Sequence, residues 1–275
     1  MKPITYLLFL LCACLWSNGY AQRYAVSDFK QVPAPALSSK LFYALNASRY
    51  AFAVSMLHGR LRINQTRDST IREYRVPEGK LIAIHLGEFG GGLFFKPNDT
   101  TIRQVYVNGK SQPMEPPFSP LRGAISANTH EYDELLRGTF LLKGGNVQRL
   151  FKFRDSLFMM EGLVFMEYSY GAVNYVGVKG DSVITREVQK LEDGPMAFSN
   201  YGDELYIATF RGLYRTRKWQ KQLLLDKLTW GFFSPNSVAI KDLKHIYVGM
   251  NGGYVWVDAI RKKVTYFEYK LNKHY

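Results

Sequence analysis

The sequence predicts an all-β fold, a β-propeller of about five four-stranded blades within a range of four to six. Three observations carry that reading. A strand-turn-strand unit recurs at a spacing of 41 residues in the second half of the chain. Glycine-bearing turns separate short runs of β-branched and aromatic residues along most of its length. Helical spacing is confined to two fragments, Tyr132 to Leu136 and Trp219 to Leu228.

The repeat aligns Val164-Phe165-Met166 with Leu205-Tyr206-Ile207 and Ile246-Tyr247-Val248, each triplet 41 residues from the next. A glycine follows seven positions after the first residue of each: Gly171, Gly212 and Gly253. An apolar pair comes next, Ala172-Val173, Leu213-Tyr214 and Tyr254-Val255. Apolar runs flanking a glycine, which enters the φ > 0 conformations of short connections without steric cost, predict β-hairpins. In the last unit Asn236 to Ile240 precedes the hairpin and Val264 to Phe267 follows it, which gives four strands.

Upstream the pattern persists without the clean period. Phe52-Ala53-Val54 leads to Gly59, Leu61 and Ile63. Leu81 to Leu86 leads to Gly90-Gly91-Gly92 and Leu93-Phe94-Phe95. Gly138 to Leu142, Gly144-Gly145 and Val147 to Phe151 predict a further hairpin. The stretch near 108–133 breaks the pattern. Its prolines, Pro113, Pro116, Pro117 and Pro120, cannot donate to a ladder, so it is expected as an excursion from the domain and not as a central strand. Blades bury their faces on one another, so the ends of the chain are expected to lie together. The N-terminal apolar positions (Phe29, Val32, Leu37, Leu41, Phe42) then share or flank the blade of Val264 to Phe267.

Ile246 to Asp258 and Leu205 to Tyr214 resemble the strand-turn-strand motif of bacterial exported propeller repeats, including those of two-component-regulator sensors. The resemblance covers roughly the last hundred residues. It implies a propeller fold and ligand or partner binding, and it implies no reaction.

The N-terminus predicts export. Lys2 is a short positive start, Tyr6 to Leu15 is apolar, and Gly19-Tyr20-Ala21 has the small residues of a cleavage site, giving a signal peptide over 1–21. The apolar run is shorter than the roughly 20 residues that span a bilayer. An uncleaved anchor and a lipoprotein attached through Cys14 are the alternatives. Both cysteines, Cys12 and Cys14, fall in this segment, so the remaining single domain, 22–275, has no disulfide chemistry and no later transmembrane segment is expected. The formal net charge is +13, and from Leu205 to Tyr275 13 Lys/Arg face 4 Asp/Glu, a local net of +9. That surface favours anionic partners, and export makes nucleic acid the least natural of them.

No catalytic, metal or cofactor motif is present, and none of His58, His85, His130, His245 and His274 is at metal-ligand spacing. Gly87 to Gly92 lacks the Lys-Ser/Thr of a phosphate loop. The candidate site comes from position in the repeat. Equivalent turns of successive blades gather on one face, presenting His58, Glu88, Phe89, Tyr170, Phe210, Arg211 and Asn251. A basic patch of Arg215, Arg217, Lys218 and Trp219 offers cations beside an aromatic ring. The expected function is an exported binding module, periplasmic or extracellular, holding a protein or anionic glycan on one face. A polysaccharide hydrolase or lyase using carboxylates such as Glu88 and Glu167 is the alternative.

Overall fold

Leu81 to Ile84, Leu205 to Ala208 and Ile246 to Met250 read as near-continuous apolar runs, and the computed structural model explains why: these strands are covered on both faces. It describes residues 23–67, 69–87, 90–114, 134–165 and 168–270. The export segment, residues 115–133 of the proline-rich stretch, and Glu88, Phe89 and Glu167 lie outside the described residues.

Strands β1 (Arg23–Tyr24) and β2 (Phe29–Val32) lead into helix α1 (Lys40–Asn46), followed by β3 (Ala51–Leu57) and β4 (Arg60–Thr66). A meander of β5 (Ile71–Val76), β6 (Gly79–His85) and β7 (Gly91–Pro97) comes next, then β8 (Gln104–Val107) and β9 (Lys110–Pro113). Four strands follow the excursion after a lone β10 (Phe140–Gly144): β11 (Val147–Phe153), β12 (Ser156–Phe165), β13 (Tyr168–Lys179) and β14 (Ser182–Leu191). β15 (Pro195–Tyr201), β16 (Glu204–Thr209), β17 (Leu213–Arg217) and β18 (Gln220–Leu225) form the next four. A 3-10 turn at Trp230–Phe233 precedes β19 (Ser237–Asp242), β20 (His245–Met250), β21 (Gly253–Asp258) and β22 (Lys263–Tyr269).

These strands make five sheets, ordered β1-β4-β3, β10-β7-β6-β5, β11-β12-β13-β14-β8-β9, β15-β16-β17-β18 and β19-β20-β21-β22-β2. The fold is all-β, and its pairings are antiparallel except that of β14 with β8. Leu205 and Ile207 of β16 pack into the core shared with the third sheet, while Tyr206 and Ala208 pack into the core shared with the fifth. β12 behaves alike, with Leu157 and Met159 toward the second sheet and Phe158 and Met160 toward the fourth. A strand covered on both faces shows no polar alternation. The cores therefore run in series, second to third to fourth to fifth to first sheet. The far face of the second sheet, at Ile82, Ile84 and Phe94, is covered by Leu135 and Leu136. The far face of the first carries Ser55, Arg62 and Asn64.

The segments near the two ends of the described residues pair, as the sequence leads one to expect. β2 pairs antiparallel with β22, with Phe29 opposite Tyr269 and Val32 opposite Tyr266. Phe29 lies edge-on to Phe52 and Tyr254 at 5.0 and 5.1 Å.

Several expectations need correction. The alignment of Leu205 with Ile246 holds, since Leu205 opposes Thr216 and Ile246 opposes Val257, 41 residues on. Val164 does not belong to that series. It lies one residue before the end of β12, and the residue placed like Leu205, next to the hairpin turn, is Leu157. Gly171 lies within β13 opposite Gly162 and is not a turn. A longer β12-β13 hairpin shifts the unit by seven residues, and the glycine spacing coincides by accident. The expected hairpin over 138–151 is a crossing between sheets, with β10 on β7 and β11 on β12. Trp219 to Leu228 is a turn and strand β18, since cross-strand pairing with β17 overrides its weak helical spacing. The proline-rich stretch begins as a short edge hairpin, with Pro113 in the outermost strand. Helix α1 was not anticipated; Ser39 caps it by accepting from the Phe42 amide, and Phe42 and Leu45 bury one face.

Deleting Val264 to Tyr275 removes β22 and frees one side of both β21 and β2. We expect the cooperative thermal transition to disappear, as followed by circular dichroism. A sharp transition near the full-length midpoint would mean that the sheets stand without this pairing.

Candidate functional site

Each meander reverses at two ends, and the two ends differ chemically. At one end the turns from first to second strands meet: Asn200 Nδ2 donates to Lys152 O, and Tyr201 Oη donates to Lys241 O. At the other, strands β6, β12 and β16 finish and strands β11 and β15 begin. A cavity of about 430 Å³ opens there.

One wall is polar. His85 ends β6, and two donors converge on its Nδ1, the Gly87 amide at 3.3 Å and Gln148 Nε2 at 3.2 Å. Asn146 Oδ1 lies 3.3 Å from the same nitrogen, so the ring is held from both neighbouring amide side chains. Asn146 is buried, and its Oδ1 accepts from the Leu86 amide while its Nδ2 donates to Gly87 O. The amide thus fixes the segment that follows β6. The floor is apolar, from Leu163, Val164, Pro195 and Met196. The opposite wall is aromatic: Phe210 and Phe232 meet edge to face at 4.9 Å, and Phe232 is 41% exposed.

The seam between the third and fourth sheets explains how these groups come together. Pro195 packs so closely on Gly162 and Gly171 that a Cβ on Gly171 would lie 2.3 Å from its Cδ. Beside it, the buried Asp193 carboxylate accepts from the Arg211 amide and from Ser169 Oγ, and Ser169 Oγ accepts from the Gly194 amide. A buried carboxylate with several hydrogen bonds holds both turns in place.

The sequence candidates divide accordingly. Phe210 lines the cavity, and Arg211 flanks it with a half-exposed side chain, its Nε 3.8 Å from Asp193. Asn251 is at the same end but serves the fold, donating its amide to Phe233 O and bridging Ala51. Tyr170 stands beside the cavity near Glu161. Burial, and after it the Glu161 charge, raise its hydroxyl above the usual tyrosine range. Glu161 is itself held by Lys143 at 3.2 Å and by Asn174 Nδ2 at 3.1 Å. His58 needs correction. The Ala51–Asn251 bridge puts the start of β3 at the cavity end, and seven residues at about 3.3 Å each carry His58 to the other end. It is an exposed turn residue with φ 49°.

The basic patch is also at the end away from the cavity. Arg215 and Arg217 lie on β17, with Lys218 and Trp219 in the turn to β18. Trp219 is not interleaved with the cations; its ring packs on Phe158 at 4.7 Å and Phe153 at 5.8 Å. Burial, and then a hydrogen bond to Glu204, push the Tyr206 hydroxyl to about 12.

Sequence reasoning missed Asn146, Gln148 and Phe232. All three stand at or before the start of a first strand, which abuts the end of a second strand, whereas the repeat argument looked only at turns. Among the described residues, no three His, Cys, Asp or Glu side chains are grouped to hold a metal ion, and no helix is long and apolar enough to cross a membrane.

No protein-family profile matches the chain. No curated protein matches it either. Among solved structures, the crystal structure of the computationally designed Ika8 protein is similar over 76% of this chain and 72% of its own, with 9% identity and a TM-score of 0.30. A likeness at that level carries no argument about fold or function.

Replacing Asn146 by Ala removes its hydrogen bonds to the Leu86 amide and to Gly87 O, groups that keep their backbone bonds with Gly90; two such bonds at about 0.5–1.5 kcal/mol each give an expected loss of about 1–3 kcal/mol in urea unfolding. Phe232→Ala, at an exposed ring, should cost about 1 kcal/mol or less. Equal losses for the two would contradict the roles given to them.

Proposed function

We propose that this chain is an exported binding module, that its five sheets stand as propeller blades, and that it holds a protein or glycan in the cavity between His85 and Phe232. The observation that carries the reading is the lining. Three successive sheets contribute to it, and its described residues are aromatic, aliphatic, amide and imidazole, without a carboxylate. Such a surface recognises sugar rings or peptide segments by stacking on aromatic faces and by oriented hydrogen bonds. Meanders packed in series and the pairing of β2 with β22 support the propeller arrangement. The apolar run from Tyr6 to Leu15, followed by Gly19-Tyr20-Ala21, supports export.

A hydrolase or lyase would need two carboxylates facing each other across about 5–10 Å. The buried acids next to the lining, Glu161 and Asp193, are already engaged by Lys143 and Asn174 and by Ser169 and Arg211. Glu88 and Glu167, the acids expected for hydrolysis, lie outside the described residues, and the binding reading rests on the aromatic and amide lining.

The test is an array of oligosaccharides and peptides probed with the native chain and with the double variant Phe210→Ala, Phe232→Ala. The variant should keep its circular dichroism and lose at least about tenfold in affinity for whatever the native chain retains. Unchanged binding would remove the cavity from consideration. Release of new reducing ends from a retained polysaccharide would favour the enzymatic reading.

A further inference from the structure

The end of the molecule away from the cavity holds a second concave surface of about 560 Å³ along the β17-β18 hairpin. Four cations, Arg215, Arg217, Lys218 and Lys221, line it with Gln220, Gln222 and one carboxylate, Glu204. That carboxylate is committed twice, accepting from Tyr206 Oη at 2.9 Å and facing Arg215 Nη1 at 3.7 Å. Lys221 is paired with Glu192 of the neighbouring segment. Among the described residues, Arg217 and Lys218 have no carboxylate partner. Glu204 stands opposite Arg217 in the ladder but is turned to Tyr206 and Arg215, so Arg217 and Lys218 border the cleft without an ion pair of their own.

The turn that presents them is built against local preference. A two-residue connection with φ > 0 at both positions favours Asn-Gly, whose residues tolerate that conformation. Here Lys218 and Trp219 adopt φ 50° and 61°. Trp219 compensates by burying its ring on Phe153 and Phe158 of the third sheet. The tip is thus anchored, and the Lys218 ammonium is held out beside Arg217. Strain that the surroundings enforce is concentrated at binding sites more than elsewhere.

We propose that this cleft is a binding site for an acidic polysaccharide, distinct from the cavity at the opposite end. Cations recognise its carboxylate or sulfate groups, and Gln220 and Gln222 supply amides suited to its hydroxyls. Tyr201, 44% exposed, opposes Glu204 across the strand pair, and its hydroxyl is pinned to Lys241 O, which offers a fixed ring for stacking. An anionic membrane is the less suitable occupant. Membrane docking uses an apolar side chain to enter the interface, and the one large aromatic at this tip is turned inward.

The experiment titrates the native chain with a polygalacturonate oligomer, a heparin oligosaccharide, a neutral dextran oligomer and vesicles containing phosphatidylglycerol. At least one acidic oligosaccharide should bind, more weakly as salt rises, and dextran should not. Arg217→Glu with Lys218→Glu should weaken that binding by at least about tenfold. Arg217→Gln with Lys218→Asn, whose Asn suits the turn conformation, should weaken it by a smaller factor while keeping the native thermal midpoint. The Phe210→Ala, Phe232→Ala variant should bind as the native chain does, which separates this site from the cavity. Undiminished binding by the charge variants, or binding to vesicles but to neither acidic oligosaccharide, would overturn the proposal.

Discussion

The antiparallel pairing of β2 with β22 is the constraint on which the other elements depend. It joins Phe29 to Tyr269, near the two ends of the described chain. The loop-closure entropy of that join has to be offset by local contacts. An aromatic cluster of Tyr24, Phe29, Phe52, Tyr254 and Tyr269, with rings 5.0 to 6.4 Å apart, supplies them. The same cluster is the core between the first and last sheets. Without β2 that core loses a wall, and helix α1, which packs Phe42 and Leu45 into the neighbouring core, loses its anchor.

Both candidate sites follow from how sheets in series meet. At one end, small residues let the chain approach closely. Pro195 rests on Gly162 and Gly171, and Asp193 bonds the turns on either side. The strand ends are left splayed around a cavity that no single sheet encloses. At the other end, long cationic side chains on a hairpin edge leave a wider and polar cleft. The two surfaces differ in lining and in distance from the seam, which is why variants of one are expected to spare the other.

Much of the architecture was legible because strands buried on both faces are conspicuous. Leu205 to Ala208 and Ile246 to Met250 declare themselves by composition, and the Asn251-Gly252 turn between β20 and β21 by its glycine. The strand Val264 to Phe267 and its partner near Phe29 were legible for another reason: both ends carry apolar positions that a neighbouring sheet has to cover. The third sheet was misread at Val164. Its hairpin strands run ten and twelve residues, so a fixed period cannot locate their turn. The cavity was legible only through Phe210 and Arg211. Asn146 and Gln148 come from a strand start, and nothing local in Gly145-Asn146-Val147 reveals that an amide there clamps residues 85 to 87. Trp219 looked like a ligand platform because its neighbours in sequence are charged. Its ring follows the turn geometry into the core instead.

The β2–β22 pair can be tested directly because the described residues include no cysteine. Lys270 N donates to Asp28 O, and alternation along the ladder makes Gln31 and Phe267 a non-hydrogen-bonded pair. The Cα atoms of such a pair lie about 4.5 Å apart, within disulfide range. In the double variant Gln31→Cys, Phe267→Cys, the two thiols should form an intramolecular disulfide in the folded protein under mild oxidation, with unchanged circular dichroism and a raised thermal midpoint. Thiols that stay free in the folded state, or bridge only between molecules, would contradict the pairing on which this account of the fold rests.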